Sequence, residues 1–245
     1  MGRQYIDAVL FSRLLALPPL PSVCAVCHAW GMQRVCADCL ARFAPTTSRC
    51  PRCALGLPAA GSACGHCLRD PPPYAAAVAA LHYSHPWDGL ITRYKFHAAL
   101  DLAPMLAARL LDAVRQSGVP HPSLLLPVPL SAQRLRERGY NQAWELARRI
   151  GRALHCQVDA RMLLRVKDGQ HQLALPRDQR AANVRGAFAV EPLRSSELRG
   201  RSVALVDDVM TTSATAAEAT RVLLQAGAAD VQVWVVARTP HPDDE

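Results

Sequence analysis

Residues 203–219 read VALVDDVMTTSATAAEA: four apolar residues, two adjacent acids, a patch of small hydroxyl residues, then a helix-forming stretch. Asp207 and Asp208 stand where a buried strand is expected to stop. A loop between strand and helix offers free backbone N–H groups at the positive end of a helix dipole, and both favour a phosphate. Small side chains let the backbone come close to it. The hydroxyls of Thr211, Thr212, Ser213 and Thr215, with Ala214 among them, add donors. Paired carboxylates would repel a second phosphate, yet they accept hydrogen bonds from sugar hydroxyls. These residue types therefore point to a sugar phosphate, its ribose against Asp207 and Asp208 and its phosphate in residues 211–215. The plain alternative is an ordinary helix start in which Thr215 and Glu218 form a capping box.

Eight of the nine cysteines fall before residue 68, in four CxxC turns: Cys24 and Cys27, Cys36 and Cys39, Cys50 and Cys53, Cys64 and Cys67. One such turn aims two thiolates at a metal, and two turns close a tetrahedral zinc site. Four turns provide for up to two structural zincs, and pairing in chain order groups Cys24 to Cys39 and Cys50 to Cys67. Disulfides would use the same residues, but no export signal is legible, which favours metal. An iron–sulfur cluster is the other use of such thiolates. Residues 20–70 hold too few large apolar side chains for a core of their own. Zinc would stand in for that core, at about 10–16 kcal/mol of apparent folding free energy per site.

The elements that must position these groups alternate. Strands are expected at 75–83, 123–130, 156–166, 203–208 and 231–237, and helices at 88–99, 102–116, 141–154 and 214–226. Residues 168–186 read as polar and irregular. Late strands that are continuous apolar runs suit a parallel sheet covered on both faces, where ligands sit at the carboxyl ends of the strands. RDPPPY (69–74) marks a boundary. Three parts result: an amino-terminal helix over 1–20, a cysteine module over 21–70 and an α/β domain over 71–240. No stretch approaches the roughly 20 apolar residues of a membrane span, so a cytoplasmic protein with no membrane partner is expected. Formal charge is +8 among 245 residues, and residues 132–201 hold 15 basic against 7 acidic side chains, which is the whole excess. Such a belt suits phosphates or nucleic acid. Two zincs and eight thiolates would add −8 + 4 = −4 and weaken it.

The apolar strand, Asp-Asp, two intervening residues, Thr-Thr and Ala-Thr resemble the ribose-phosphate loop of the type I phosphoribosyltransferases. That loop holds phosphoribosyl pyrophosphate (PRPP). The family usually has Gly where this chain has Ser213; where φ is positive, serine strains the backbone by roughly 1–2 kcal/mol. PVPLSAQRLRERGYNQA (127–143), QLALPRDQRAANVRGAF (172–188), YKFHAALDLA (94–103) and the cysteine ladder together resemble the ComF family of competence-associated proteins. The resemblance spans residues 24–237. It implies a type I phosphoribosyltransferase-like parallel sheet flanked by helices, preceded by a small double zinc-ribbon module. It also implies PRPP or another ribose phosphate as ligand, with Mg²⁺, and a part in DNA uptake during natural transformation. Lys95, Arg134, Arg138 and Arg180 would clamp pyrophosphate, the loop Val128 to Ser131 would be the pyrophosphate loop, and residues 168–186 would form a hood. Asp207 or Asp208 would support catalysis of pentosyl transfer. A non-catalytic adaptor with a degenerate PRPP site, binding single-stranded DNA or a competence helicase, is the alternative.

Overall fold

The computed structural model describes residues 21–59, 63–167 and 184–240. The helix expected over 1–20, most of the hood and Arg180 lie outside the described residues. The chain begins with a two-residue hairpin, β1 (Ser22–Val23) against β2 (Trp30–Gly31), and two short helices, α1 (Ala37–Phe43) and α2 (Gly65–Arg69). Then come β3 (Ala76–His82), α3 (Trp87–Phe96), α4 (Ala103–Ser117), β4 (Leu124–Pro127), α5 (Ala132–Arg138) and α6 (Gln142–Leu154). The remainder is β5 (Gln157–Val158), β6 (Leu163–Arg165), β7 (Phe188–Val190), β8 (Ser202–Met210), α7 (Ala214–Gln225) and β9 (Asp230–Arg238).

Five strands form one parallel sheet in the order β3-β9-β8-β4-β5. The central strand shows why. Val203 and Leu205 face one core with Leu223 of α7, while Ala204 and Val206 face another with Leu110 of α4 and Leu146 of α6. A strand buried on both sides has no use for alternation, so its run is apolar throughout. Helix α4 presents Leu106, Leu110 and Val114 to the sheet and ends at Gly118, whose φ of +69° closes it as a glycine readily does.

Three expectations change in detail. Strand β8 does not stop at the acids: pairing with β9 continues through Val209↔Ala237 and Met210↔Arg238. The single strand expected over 156–166 is two, because Asp159 Oδ1 accepts the N–H groups of Arg161 (2.7 Å) and Met162 (3.0 Å) and turns the chain. Past that turn β6 leaves the main sheet and pairs antiparallel with β7. Residues 132–138 are a helix, started by Ser131 Oγ accepting Arg134 N–H (3.3 Å) and ended at Gly139 with φ +77°.

Candidate functional site

Strands β4 and β8 are neighbours, but the chain leaves them in opposite senses. After β4 it passes through α6 on one face of the sheet to β5; after β8 it passes through α7 on the other face to β9. The crevice beyond their carboxyl ends is the switch point where open α/β sheets hold ligands. Residues 128–131 and 207–213 border it. Asn141 joins its parts. Its Oδ1 caps α6 by accepting Trp144 N–H (3.2 Å), and its Nδ2 donates to the Val128 carbonyl (3.1 Å).

Residues 211–213 make the turn into α7. Ser213 is the cap residue, with φ +59°, the left-handed conformation in which a Cβ is strained. Its hydroxyl donates back to Thr212 O (2.7 Å) instead of accepting from the helix, and the first intrahelical bond is Ala217 N–H to Ser213 O (2.8 Å). The capping box of Thr215 and Glu218 does not form; Glu218 accepts Gly186 N–H (2.6 Å) and pairs with Arg221. The N-terminal amides of α7 are thus left without a side-chain cap. A cavity of about 50 Å³ lies at this turn, lined by Asp207, Thr211, Ser213, Thr215 and Val128 among others.

The two acids have different surroundings. Asp208 is buried, and its Oδ1 takes an ion pair from Lys95 Nζ at 2.9 Å. Its Oδ2 is buried with no hydrogen-bond partner among the described residues. Asp207 keeps part of its surface and accepts Asp208 N–H at Oδ1 (2.8 Å). Burial and the neighbouring Asp208 charge push the Asp207 carboxyl up to about 8, against the opposing pull of Lys95. Arg138 stacks its guanidinium 4.6 Å above the Phe96 ring. Burial pulls Arg138 down, the Asp208 carboxylate opposes that, and Arg134 stands close enough to repel it. Arg134 therefore stands near Arg138, and Lys95 and Arg138 stand near the acids. Lys95 reaches them from α3, whose Tyr94 hydroxyl donates to Gln142 O (2.8 Å) and whose Tyr94 carbonyl accepts the Tyr140 hydroxyl.

The cysteines form two groups in chain order, each with four Sγ atoms within 4.8 Å of one another: Cys24, Cys27, Cys36, Cys39 and Cys50, Cys53, Cys64, Cys67. Each group joins a backbone knuckle to a helix start. In the knuckles His28 N–H bonds Cys24 O and Ala54 N–H bonds Cys50 O, and His28 (φ +62°) and Ala54 (φ +56°) are left-handed. Cys36 and Cys64 precede α1 and α2, whose dipoles favour thiolates there. Burial raises the Cys24 thiol, but the N–H groups of Cys27, Cys36 and Val26 outweigh it and bring it to about 6. Cys50 likewise falls to about 7, while burial lifts Cys39 to about 12 and Cys53 to about 11. Four convergent sulfurs with N–H support are the donor set of a structural zinc, and the arrangement fits a double zinc ribbon.

Sequence reasoning missed Arg238. Lying at the end of β9 and 6 % exposed, it donates from Nε to Cys53 O (3.0 Å) and from Nη1 to Met210 O (3.1 Å) and Thr211 O (2.5 Å). No motif marks it; the only signal was an arginine closing an apolar strand. Tyr74 was missed too: buried beside the turn, its hydroxyl lies 3.9 Å from Met210 Sδ.

Parallel sheet, flanking helices and the preceding cysteine groups define an α/β protein with an amino-terminal module that fits a double zinc ribbon. No family model matches the chain. Curated relatives do. It is 36% identical over 232 residues to DNA utilization protein YhgH of Shigella flexneri, covering 92% of this chain and all of that one. It is 35% identical over 193 residues to competence protein F of Haemophilus influenzae, covering 77% and 84%. The chain belongs to the ComF family. Among solved structures, glutamine PRPP amidotransferase from B. subtilis, complexed with ADP and GMP, overlaps 58% of this chain and 30% of its own. The TM-score is 0.39 and the identity 17%.

Proposed function

We propose that the chain binds a ribose phosphate, PRPP above all, at the crevice between β4 and β8, and serves the handling of DNA taken up in natural transformation. The observation that carries the ligand is the bare, buried Asp208 Oδ2, whose neighbour Asp207 lines the uncapped start of α7. A buried carboxylate oxygen without a partner is costly, and a ribose hydroxyl would satisfy it. The 5′-phosphate would take the amides of residues 212–215. The hard carboxylate oxygens of Asp207 and Asp208 also suit Mg²⁺ and its waters, and magnesium would screen the pyrophosphate charge. The names of the relatives, DNA utilization protein and competence protein, support the DNA role; single-stranded DNA or a helicase is the partner this reading expects. Zinc in both cysteine groups and a reducing, cytoplasmic location go together.

In the transfer reading, a nucleophile attacks the anomeric carbon, its bond to pyrophosphate breaks, and the electron pair leaves with pyrophosphate. Asp207 and Asp208 support the positive charge developing on the ribose. Arg134, Arg138 and Arg180 stabilise the leaving group. Lys95 joins them only by releasing Asp208. That ion pair favours a second reading, binding without transfer, in which Lys95 stays where it is.

Calorimetry of the zinc-loaded chain with PRPP and Mg²⁺ tests the site. The double variant Asp207→Asn/Asp208→Asn is expected to lose about tenfold or more in affinity, a difference of about 1.4 kcal/mol; binding equal to wild type overturns the assignment. Pyrophosphate release on adding candidate acceptors separates transfer from binding alone.

A further inference from the structure

The second cysteine centre and the phosphate turn share one side chain. Arg238 Nε donates to Cys53 O, the carbonyl of a metal-ligating residue, while Nη1 of the same guanidinium donates to Met210 O, Thr211 O and Thr239 O (3.0 Å). Thr211 O belongs to the peptide whose N–H, on Thr212, opens the phosphate turn. The guanidinium is planar and rigid, so it fixes the separation of the carbonyls it bridges. A second arginine, Arg49, donates from Nη1 to the next carbonyl of the knuckle, Ala54 O (3.1 Å), and is near enough to Arg238 for their charges to repel. Four thiolates and one Zn²⁺ leave two negative charges, which these two guanidiniums would match. The knuckle's own core is small, Cys50, Cys53, Cys64, Cys67 and Leu55 with Leu57 and Ala63 against it; Ala77 N–H on Pro51 O (3.1 Å) and Arg52 Nη1 on Ala75 O (3.3 Å) tie it to the start of β3.

We propose that Arg238 is a positioning residue that couples metal at Cys50, Cys53, Cys64 and Cys67 to the geometry of the turn at Thr211–Ser213, so that metal retention and sugar-phosphate binding reinforce each other. The proposal rests on the ribose-phosphate reading for its ligand, but not for the coupling itself. With metal bound, the Cys53 carbonyl is held, Arg238 is held by it, and the Thr211 peptide is aimed. With metal lost, the knuckle relaxes and the turn loses one of its anchors. Coupling of this kind is reciprocal: ribose 5-phosphate must tighten the hold on metal by the same factor that metal tightens the hold on ribose 5-phosphate.

The test uses the full zinc-loaded chain, ribose 5-phosphate as the probe, and a chromogenic chelator that follows zinc release. In wild type, saturating ribose 5-phosphate is expected to slow release of one of the two zincs about fivefold or more, the low end for coupled sites. Arg238→Lys, which keeps the charge and loses the fork, is expected to hold two zincs in the absence of chelator yet show no such slowing. Hydrogen exchange reads the coupling without ligand: the Thr211, Thr212 and Ser213 amides should exchange faster in Arg238→Lys and in zinc-stripped wild type, while amides of α6 stay protected. Slowing that survives in Arg238→Lys overturns the proposal, as do turn amides indifferent to zinc in wild type. Failure of ribose 5-phosphate to bind wild type sinks the ligand reading alone, and the exchange measurement still decides the coupling.

Discussion

Ser213 carries a side chain through a backbone conformation that favours glycine. Its hydroxyl bonds the preceding carbonyl and also meets the Tyr74 side chain, contacts that offset the strain only in part. Ser213→Gly should therefore raise stability by about 0.5–1 kcal/mol, strain relief outweighing the greater chain entropy of glycine. A rise of about 1–3 °C in Tm is the expected reading by calorimetry; a fall would show that the serine bond outweighs the strain. Asp207 gives a second residue-level prediction. Its folded value of about 8 lies above the unfolded carboxyl value of about 3.9. The fold therefore holds the proton more tightly than the unfolded chain does. That contribution is complete below about pH 4 and is lost as pH rises through about 8. Urea midpoints of the unliganded chain from pH 5 to 9 should fall less steeply for Asp207→Asn than for wild type; parallel curves would mean the carboxyl is ionised throughout. That two adjacent acids would stand late in a buried strand was legible from the sequence. Lys95's attachment to Asp208 was not, because it depends on how α3 packs against β8, more than a hundred residues away in the chain.

At the scale of elements, Gly151 shows why α6 accepts a poor helix former. A Cβ there would collide with Val158 Cγ2 and stand 3.0 Å from the Cys156 carbonyl, so the glycine lets β5 run close beneath the helix. On an open helix Gly→Ala would stabilise by up to about 1 kcal/mol. Here Gly151→Ala should destabilise by about 1–3 kcal/mol through overpacking, seen as a lower urea midpoint with unchanged slope; stabilisation would mean that β5 moves freely. Helix positions were readable to within a few residues because caps and periodicity are local. The division of 156–166 was not, since the Asp159 turn is completed by Arg194 (2.6 Å), far along the chain. Helix α5 could have been found: Ser131 and Gly139 bracket it as cap and stop.

At the scale of the whole molecule, the cysteine module is bonded onto the sheet domain at several points. Trp87 Nε1 donates to Phe43 O (2.6 Å), Ala77 N–H donates to Pro51 O (3.1 Å), and Val35 and Cys39 enter the core beneath α3 and α4. Stripping both metals with a strong chelator should lower Tm by about ten degrees or more, given about 10–16 kcal/mol of apparent folding free energy per zinc. Limited proteolysis should then cut within residues 21–70; an unchanged Tm and digest would remove metal from the account. The two four-cysteine groups were legible because CxxC spacing is a local signal. The switch point was not, because strand order arises from pairings such as β4 with β8, and no local pattern states which strands become neighbours.

His28 and Ala54 give the knuckles a further property. Each is a side-chain-bearing residue wound the wrong way immediately after a cysteine of a four-sulfur group, and no glycine eases it. An emptied second knuckle would unwind toward an ordinary conformation, drawing the Cys53 and Ala54 carbonyls off Arg238 and Arg49. Recapturing an ion then requires the backbone to be rewound first, so reloading the emptied protein would proceed at the pace of that rearrangement and not at the pace of diffusion.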